Sequence, residues 1–276
     1  MPSDKGGGPR WAARAGLPGL AADIGSGACG WMSTRAGGVS AGPWASLNLG
    51  DHVGDDPTAV AENRARFARA LGVRPVFLRQ VHGTGVVRLD RDTPDGVEAD
   101  ACWTDAVGVA CVVLVADCLP ILFAEPDGAS VAAVHAGWRG LAGGVLEALC
   151  AQWPAAHDPA QRRRLQVWIG AAIGPSAFEV GPDVRDAFVA PDPGAAGVFT
   201  PVAQRPDRWW ADLAALARRR LARLGFGTVC GHDGASSWCT ASDPLRFFSH
   251  RRDARRHGSS GRLGAAVWRV TGTGNG

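Results

Sequence analysis

The sequence predicts one mixed α/β (α+β) domain, and three observations predict it. Apolar runs of strand length alternate with segments of helical periodicity. Hairpin turns and helices both connect the strands, without the strict β-α-β order of a Rossmann sheet. The 276 residues, 46% hydrophobic and 20% charged, can bury a large core, and neither a long linker nor an internal repeat divides them. The domain is expected over residues 11–270, with frayed tails at 1–10 and 271–276.

The elements follow in order. Asp55-Asp56-Pro57 starts a helix with an acidic cap and a first-turn proline. Its apolar stripe is Val60, Phe67 and Leu71, and it ends before Gly72. Residues 75–80 read as a strand running into Val81-His82-Gly83. Residues 109–115 are a continuous apolar run expected as a buried strand, followed by a strand at 121–124, a turn at Pro126-Asp127-Gly128, and a returning strand at 130–134. A helix is expected at 141–152, a strand at 166–169, and a helix at 209–224 with stripe Leu213, Leu216 and Leu224, stopped by Gly225. Residues 190–197 form the clearest loop.

Composition excludes several classes. Twenty-nine Lys+Arg against 26 Asp+Glu leave a net charge of +3, too little to suggest a nucleic-acid scaffold. The longest apolar run, 107–116, is half the ~20 residues of a membrane span. No export signal is visible, and the seven cysteines are odd in number with no Cys-x-x-Cys pair. Reduced thiols in a cytoplasm are expected.

The chemistry gathers at one hairpin. If Pro126-Asp127 forms the loop, paired positions sum to 253, which sets Cys118 opposite His135. A slip of one or two residues would change the pairing but not the proximity. A neighbouring Cys and His allow a base-activated thiolate nucleophile, or a metal site completed by a third ligand. His82, at the end of its own strand, is the candidate third ligand, and three N/S ligands with an open position are the pattern of catalytic zinc. Gly137 and Gly140 around Trp138-Arg139 precede a helix, where free N–H groups and Arg139 suit an oxyanion. Arg64 falls about 40° from Val60 on the helix circumference, beside the apolar stripe. There a guanidinium needs an anion, either a structural carboxylate or a bound ligand. The stretch Phe247-Phe248-Ser249-His250-Arg251-Arg252-Asp253 and the arginine triplets at 162–164 and 218–220 read as solvated charge runs.

Taken in order, these segments resemble a known family. Ser33 to Ser40, Ser46-Leu47-Asn48-Leu49-Gly50 and Glu62-Asn63-Arg64 come first. Gln80-Val81-His82-Gly83, Ala116-Asp117-Cys118-Leu119-Pro120, His135-Ala136-Gly137-Trp138-Arg139-Gly140 and Ala172-Ile173-Gly174-Pro175 follow, and Phe247 to Asp253 and Gly261-Arg262 close the set. Over about residues 28 to 270 the chain resembles the laccase-domain family of purine nucleoside phosphorylases, also named polyphenol oxidases or peptidoglycan editing factors. The resemblance implies a layered α-β-β-α fold and zinc at His82, Cys118 and His135, which would then be the catalytic centre. It also implies purine nucleosides and phosphate as substrates: phosphorolysis of adenosine, inosine and S-methyl-5′-thioadenosine, and deamination of adenosine. Ser176 and His250 depart from the residues that many members carry there. Phosphorolysis needs guanidinium groups to align phosphate; Arg64 is the first candidate, with Arg35, Asn48 and Arg139 after it.

Other functions weigh less. A multicopper oxidase needs about ten histidines, many as His-x-His pairs, whereas this chain has seven and no such pair. Copper at a three-ligand site would be adventitious. A Cys118-dependent hydrolase editing peptidoglycan precursors is the main alternative.

Overall fold

The computed structural model describes residues 8–270. Residues 1–7 of the expected N-terminal tail and the whole of 271–276 lie outside the described residues.

Fifteen strands form along the described chain: β1 (Trp11–Arg14), β2 (Leu17–Ala22), β3 (Ala28–Ser33), β4 (Arg74–Phe77), β5 (Val86–Arg88), β6 (Ala101–Thr104), β7 (Val109–Val115), β8 (Leu119–Ala124), β9 (Val131–Ala136), β10 (Gln166–Ile169), β11 (Glu179–Val180), β12 (Phe199–Pro201), β13 (Trp209–Ala211), β14 (Thr228–Gly231) and β15 (Leu263–Arg269). The main helices are α1 (Pro57–Leu71), α2 (Trp138–Gly143), α3 (Val145–Gln152), α4 (Pro159–Arg162), α5 (Pro182–Val189) and α6 (Leu213–Arg223). One six-stranded sheet has the order β1-β2-β3-β15-β7-β4 and a second the order β14-β10-β8-β9-β6-β5; β11-β13-β12 is a small third sheet. Both large sheets mix parallel and antiparallel pairs.

Period-two alternation in buried strands sets the layers. On β7, Ala110, Val112 and Leu114 pack with Phe67, Ala70 and Leu71 of α1. Val109, Cys111, Val113 and Val115 face the other way, into a core shared with Leu122 and Ala133 of the second sheet. The far face of that sheet, with Leu119, Ile121, Phe123 and Val134, is covered by α2, α3, α5 and α6. The fold is therefore a single-domain, layered α-β-β-α sandwich.

Local details depart from the sequence expectations in physically clear ways. The β8–β9 register sums to 255, pairing Pro120 with His135, because the loop is longer than two residues. Gly128 N–H closes onto Glu125 C=O at 2.9 Å, and Glu125 N–H pairs with Ser130 C=O at 3.1 Å. The slip of two keeps the pleat parity, so no side chain changes face. Residues 141–152 are not one helix: Gly144 takes a left-handed conformation (φ 98°) between α2 and α3, which glycine alone adopts at little cost. The helix expected from 209 begins at Leu213, capped by the Asp212 carboxylate accepting from Ala215 N–H. Trp209–Ala211 instead pairs with β12. The strand expected over 75–80 leaves the sheet after Phe77. Beyond it the Gln80 amide donates to Leu114 C=O (2.8 Å) and accepts from Leu114 N–H (2.7 Å), doing side-chain work where the ladder stops.

Candidate metal centre

Two crossings between the large sheets build the site. The chain leaves β4 in the first sheet and enters β5 in the second through residues 78–85, which carry His82. It leaves β7 and enters β8 through Ala116-Asp117-Cys118. Each crossing holds a non-glycine residue at positive φ: His82 at 60° and Asp117 at 83°. Such conformations are costly and persist where neighbours enforce them. His135 sits near the end of β9, on the parity of Val131 and Ala133, and so faces the same seam between the sheets.

One nitrogen or sulfur atom from each of His82, Cys118 and His135 lies within 4.8 Å of the others. Cys118 Sγ is 3.7 Å from His82 Nε2, and the two imidazoles meet edge-on at 4.8 Å between centroids. The structure thus brings together the three residues nominated from the sequence. Gly137 explains the spacing of the His135–Gly140 motif. A Cβ there would lie 2.8 Å from His82 Cδ2 and 2.9 Å from Cys118 Sγ, displacing both.

A residue the sequence reading missed holds the cluster together. Asp100, wholly buried, accepts from His135 Nδ1 at 2.8 Å. Its two oxygens also accept backbone N–H bonds from Val81 (3.2 Å), His82 (2.9 Å) and Gly83 (2.7 Å). One carboxylate therefore fixes the His135 ring, leaving Nε2 for an ion, and anchors the loop bearing His82. Burial alone would raise the Asp100 pKa, but the His135 hydrogen bond and these amides hold it below the ordinary value. Burial likewise pushes the Cys118 thiol up, yet the charge and hydrogen bonds of His135 and His82 outweigh it and favour thiolate. Burial lowers the His135 pKa, and the Cys118 thiolate with Asp100 more than restores it.

Beside the cluster opens a small recess of about 140 Å³. His52, Gln80, Leu114, Ala116, His250 and Arg262 line it together with the three cluster residues. The four further candidates are not among its lining residues. Arg64 donates Nε to Leu49 C=O (2.9 Å), pairs through Nη2 with Asp51 (3.1 Å) and stacks 4.3 Å over Phe77. Its anion is thus a carboxylate of the chain, the structural option raised above. Asn48 is wholly buried and binds Gly50, Asp55 and the Arg262 backbone. Arg35 donates to Ala45 and Pro244 carbonyls and stacks on Phe248. Arg139 lies over Trp138, pointing to the exposed side of α2.

The charge runs are less solvated than expected. Arg218 donates to the carbonyls of His232, Val229 and Gly231. Arg251 reaches Glu179 C=O, and Arg252 pairs with Asp253 and reaches Thr240 and Phe247 carbonyls. These guanidiniums satisfy loop carbonyls that no ladder reaches. Asp117 works in the opposite sense, accepting from Thr240 Oγ1 (2.6 Å), Ser249 Oγ (3.0 Å) and Arg251 N–H (2.6 Å). It thereby pins the 240–251 segment beside Cys118.

Fold and cluster together define a class: a two-sheet, helix-covered α/β protein with an N/S triad at the inter-sheet seam, open to a recess. Residues 30–270 match the multi-copper polyphenol oxidoreductase laccase family, and the chain belongs to it. A protein of Pseudomonas aeruginosa named purine nucleoside phosphorylase is 50% identical over 238 residues, covering 86% of this chain and 91% of its own. The Escherichia coli purine nucleoside phosphorylase YfiH is 44% identical over 240 residues, covering 86% and 92%. Among solved structures, a Neisseria meningitidis protein has a TM-score of 0.82 at 42% identity, covering 92% of this chain and 99% of its own. YlmD from Geobacillus stearothermophilus has a TM-score of 0.77 at 32% identity, covering 98% of both.

Proposed function

We propose that this chain is a zinc-dependent purine nucleoside phosphorylase that cleaves adenosine, inosine and S-methyl-5′-thioadenosine with phosphate, and that it also deaminates adenosine. The observation that carries the reading is the His82–Cys118–His135 cluster facing an open recess, in a chain with close relatives named for this activity. The residues fit zinc: two imidazole nitrogens and a thiolate, an oriented His135, and a Cβ-free Gly137 that keeps the space between them clear. When bound, the ion supplies Lewis acidity toward a substrate atom in the recess. Copper at the same donors is adventitious, since Cu²⁺ outcompetes Zn²⁺ at most N/S sites. All seven cysteines are free, which suits a reducing compartment such as the cytoplasm.

In phosphorolysis a phosphate oxygen bonds to the ribose C1′ while the C1′–N9 bond breaks. The purine leaves with the electron pair and gains a proton. In deamination water replaces the 6-amino group and ammonia leaves. The chain's part is to hold His82 and His135 through Asp100 and to present the recess to the nucleoside.

One observation keeps a second reading in view. Cys118 lies 3.7 Å from His82 in surroundings that favour thiolate, as a cysteine hydrolase acting on peptidoglycan precursors would need. Incubation with adenosine, with and without phosphate, separates the two. Adenine plus ribose 1-phosphate reports phosphorolysis and inosine reports deamination. Neither product, with a thiol-dependent hydrolysis that zinc inhibits, would replace our reading with the second.

A further inference from the structure

Arg262 is the one guanidinium lining the recess. Its Nη1 donates to the carbonyls of Ser260 (2.8 Å) and Gly261 (3.3 Å). Among the described residues no carboxylate forms an ion pair with it, and Nε and Nη2 make no hydrogen bond. Two other half-buried arginines have a carboxylate partner within the chain: Arg64 has Asp51 and Arg252 has Asp253. A partly desolvated cation left without an anion is costly. Burial accordingly disfavours its charge, offset in part by Cys118 and Asp117.

The surrounding chain is shaped to hold this side chain. Asn48 Oδ1 accepts from Arg262 N–H at 2.8 Å and from Gly50 N–H at 2.9 Å, and Leu49 N–H donates to Arg262 C=O at 3.1 Å. A Cβ on Gly50 would sit 2.7 Å from Arg262 Cγ, so glycine is required for the stem to pass. The Ser46–Gly50 motif thus makes a cradle for the stem of Arg262. From its place before β15, beside the end of β7, the residue reaches the recess, where Cys118 and Asp117 are the acidic groups near it but neither forms an ion pair or hydrogen bond with it.

We propose that Arg262 is the anchor for the phosphate co-substrate, its free Nε and Nη2 donors forming the paired recognition that guanidinium gives an oxyanion. The inference rests on the phosphorolysis reading. It moves the phosphate role from Arg64, whose Nε and Nη2 are taken and which does not line the recess, to a residue on the wall of the recess. His52 and His250, also on that wall, are placed to add donors.

The test compares zinc-loaded wild type with Arg262→Gln and Arg262→Lys. Inorganic phosphate binding is measured by calorimetry without nucleoside, and KM for phosphate and for adenosine by steady-state kinetics. We expect Arg262→Gln to keep its zinc and its adenosine KM while its phosphate KM rises roughly tenfold or more, with lysine intermediate as a single-point donor. Unchanged phosphate binding in Arg262→Gln, or a loss of zinc in place of phosphate, overturns the assignment. A wild type that neither binds nor uses phosphate removes the phosphorolysis reading itself, a result distinct from either.

Discussion

Asp100 carries four side-chain hydrogen bonds, one from a metal-ligand candidate ring and three from the backbone of the loop holding another. Its charge matters as much as its shape, because all four partners are donors. Asp100→Asn replaces one acceptor with an amide donor that must face an N–H. We expect zinc affinity to fall roughly 10- to 100-fold, as for other outer-shell partners, read by chelator competition; an unchanged affinity would show that His135 and His82 hold themselves. His232 presents a different single-residue effect. It is wholly buried, stacks on Trp238 and accepts Gly234 N–H at Nδ1. Burial, only partly opposed by Asp212, lowers its pKa from 6.5 to about 4. Between these values the unfolded chain binds the proton and the folded chain does not. The stability is therefore full above about pH 6.5 and erodes as pH falls toward 4, by on the order of 3 kcal/mol. His232→Gln should flatten that acid limb in paired thermal melts, and parallel pH profiles would show that the group does not titrate differently on folding.

Elements explain why Arg64 is placed as it is. Arg64 projects from α1 onto Phe77 and Asp51, so it ties the helix to the end of β4 and to the 46–55 loop. Asp51 is well exposed, which keeps the ion pair weak. Arg64→Ala should cost about 1 kcal/mol and leave the phosphate dependence of catalysis intact; a selective rise in phosphate KM would return the role to Arg64. The helix itself was legible in the sequence because its Asp56 cap, its stripe and its Gly72 stop agree. β7 was legible because both its faces are buried, and the Cys118–His135 approach because one turn lies between them. Asp100 was not: it stands alone between alanines, and its partners at 81–83 and 135 are remote in sequence. Arg262 was visible only as a motif, since its cradle comes from residues 48–50. The split at Gly144 and the strand at 209–211 were hidden because a helical apolar pattern runs through both, and only backbone conformation and sheet pairing distinguish them.

At the scale of the molecule, function follows from two sheets meeting along one edge of their shared core. Two of the places where the chain crosses from the first sheet to the second, residues 78–85 and 116–118, are freed from the strand ladders and carry His82 and Cys118. The layers of helix outside each sheet leave that seam open. Among the described residues no helix is long and apolar enough to cross a membrane. A second recess, between α3, α5 and α6, holds Arg219, Arg220 and Arg223. These are already paired with Asp192 and Glu147, which leaves it no free charge for an anion. The account therefore turns on the seam holding one zinc through three protein ligands. Elemental analysis of purified wild type and His82→Ala, with melting curves alongside, tests this most directly. We predict about one zinc per chain in the wild type, and little in a His82→Ala variant that still melts cooperatively. A wild type that takes up no zinc, or a variant that keeps it in full, would contradict the account.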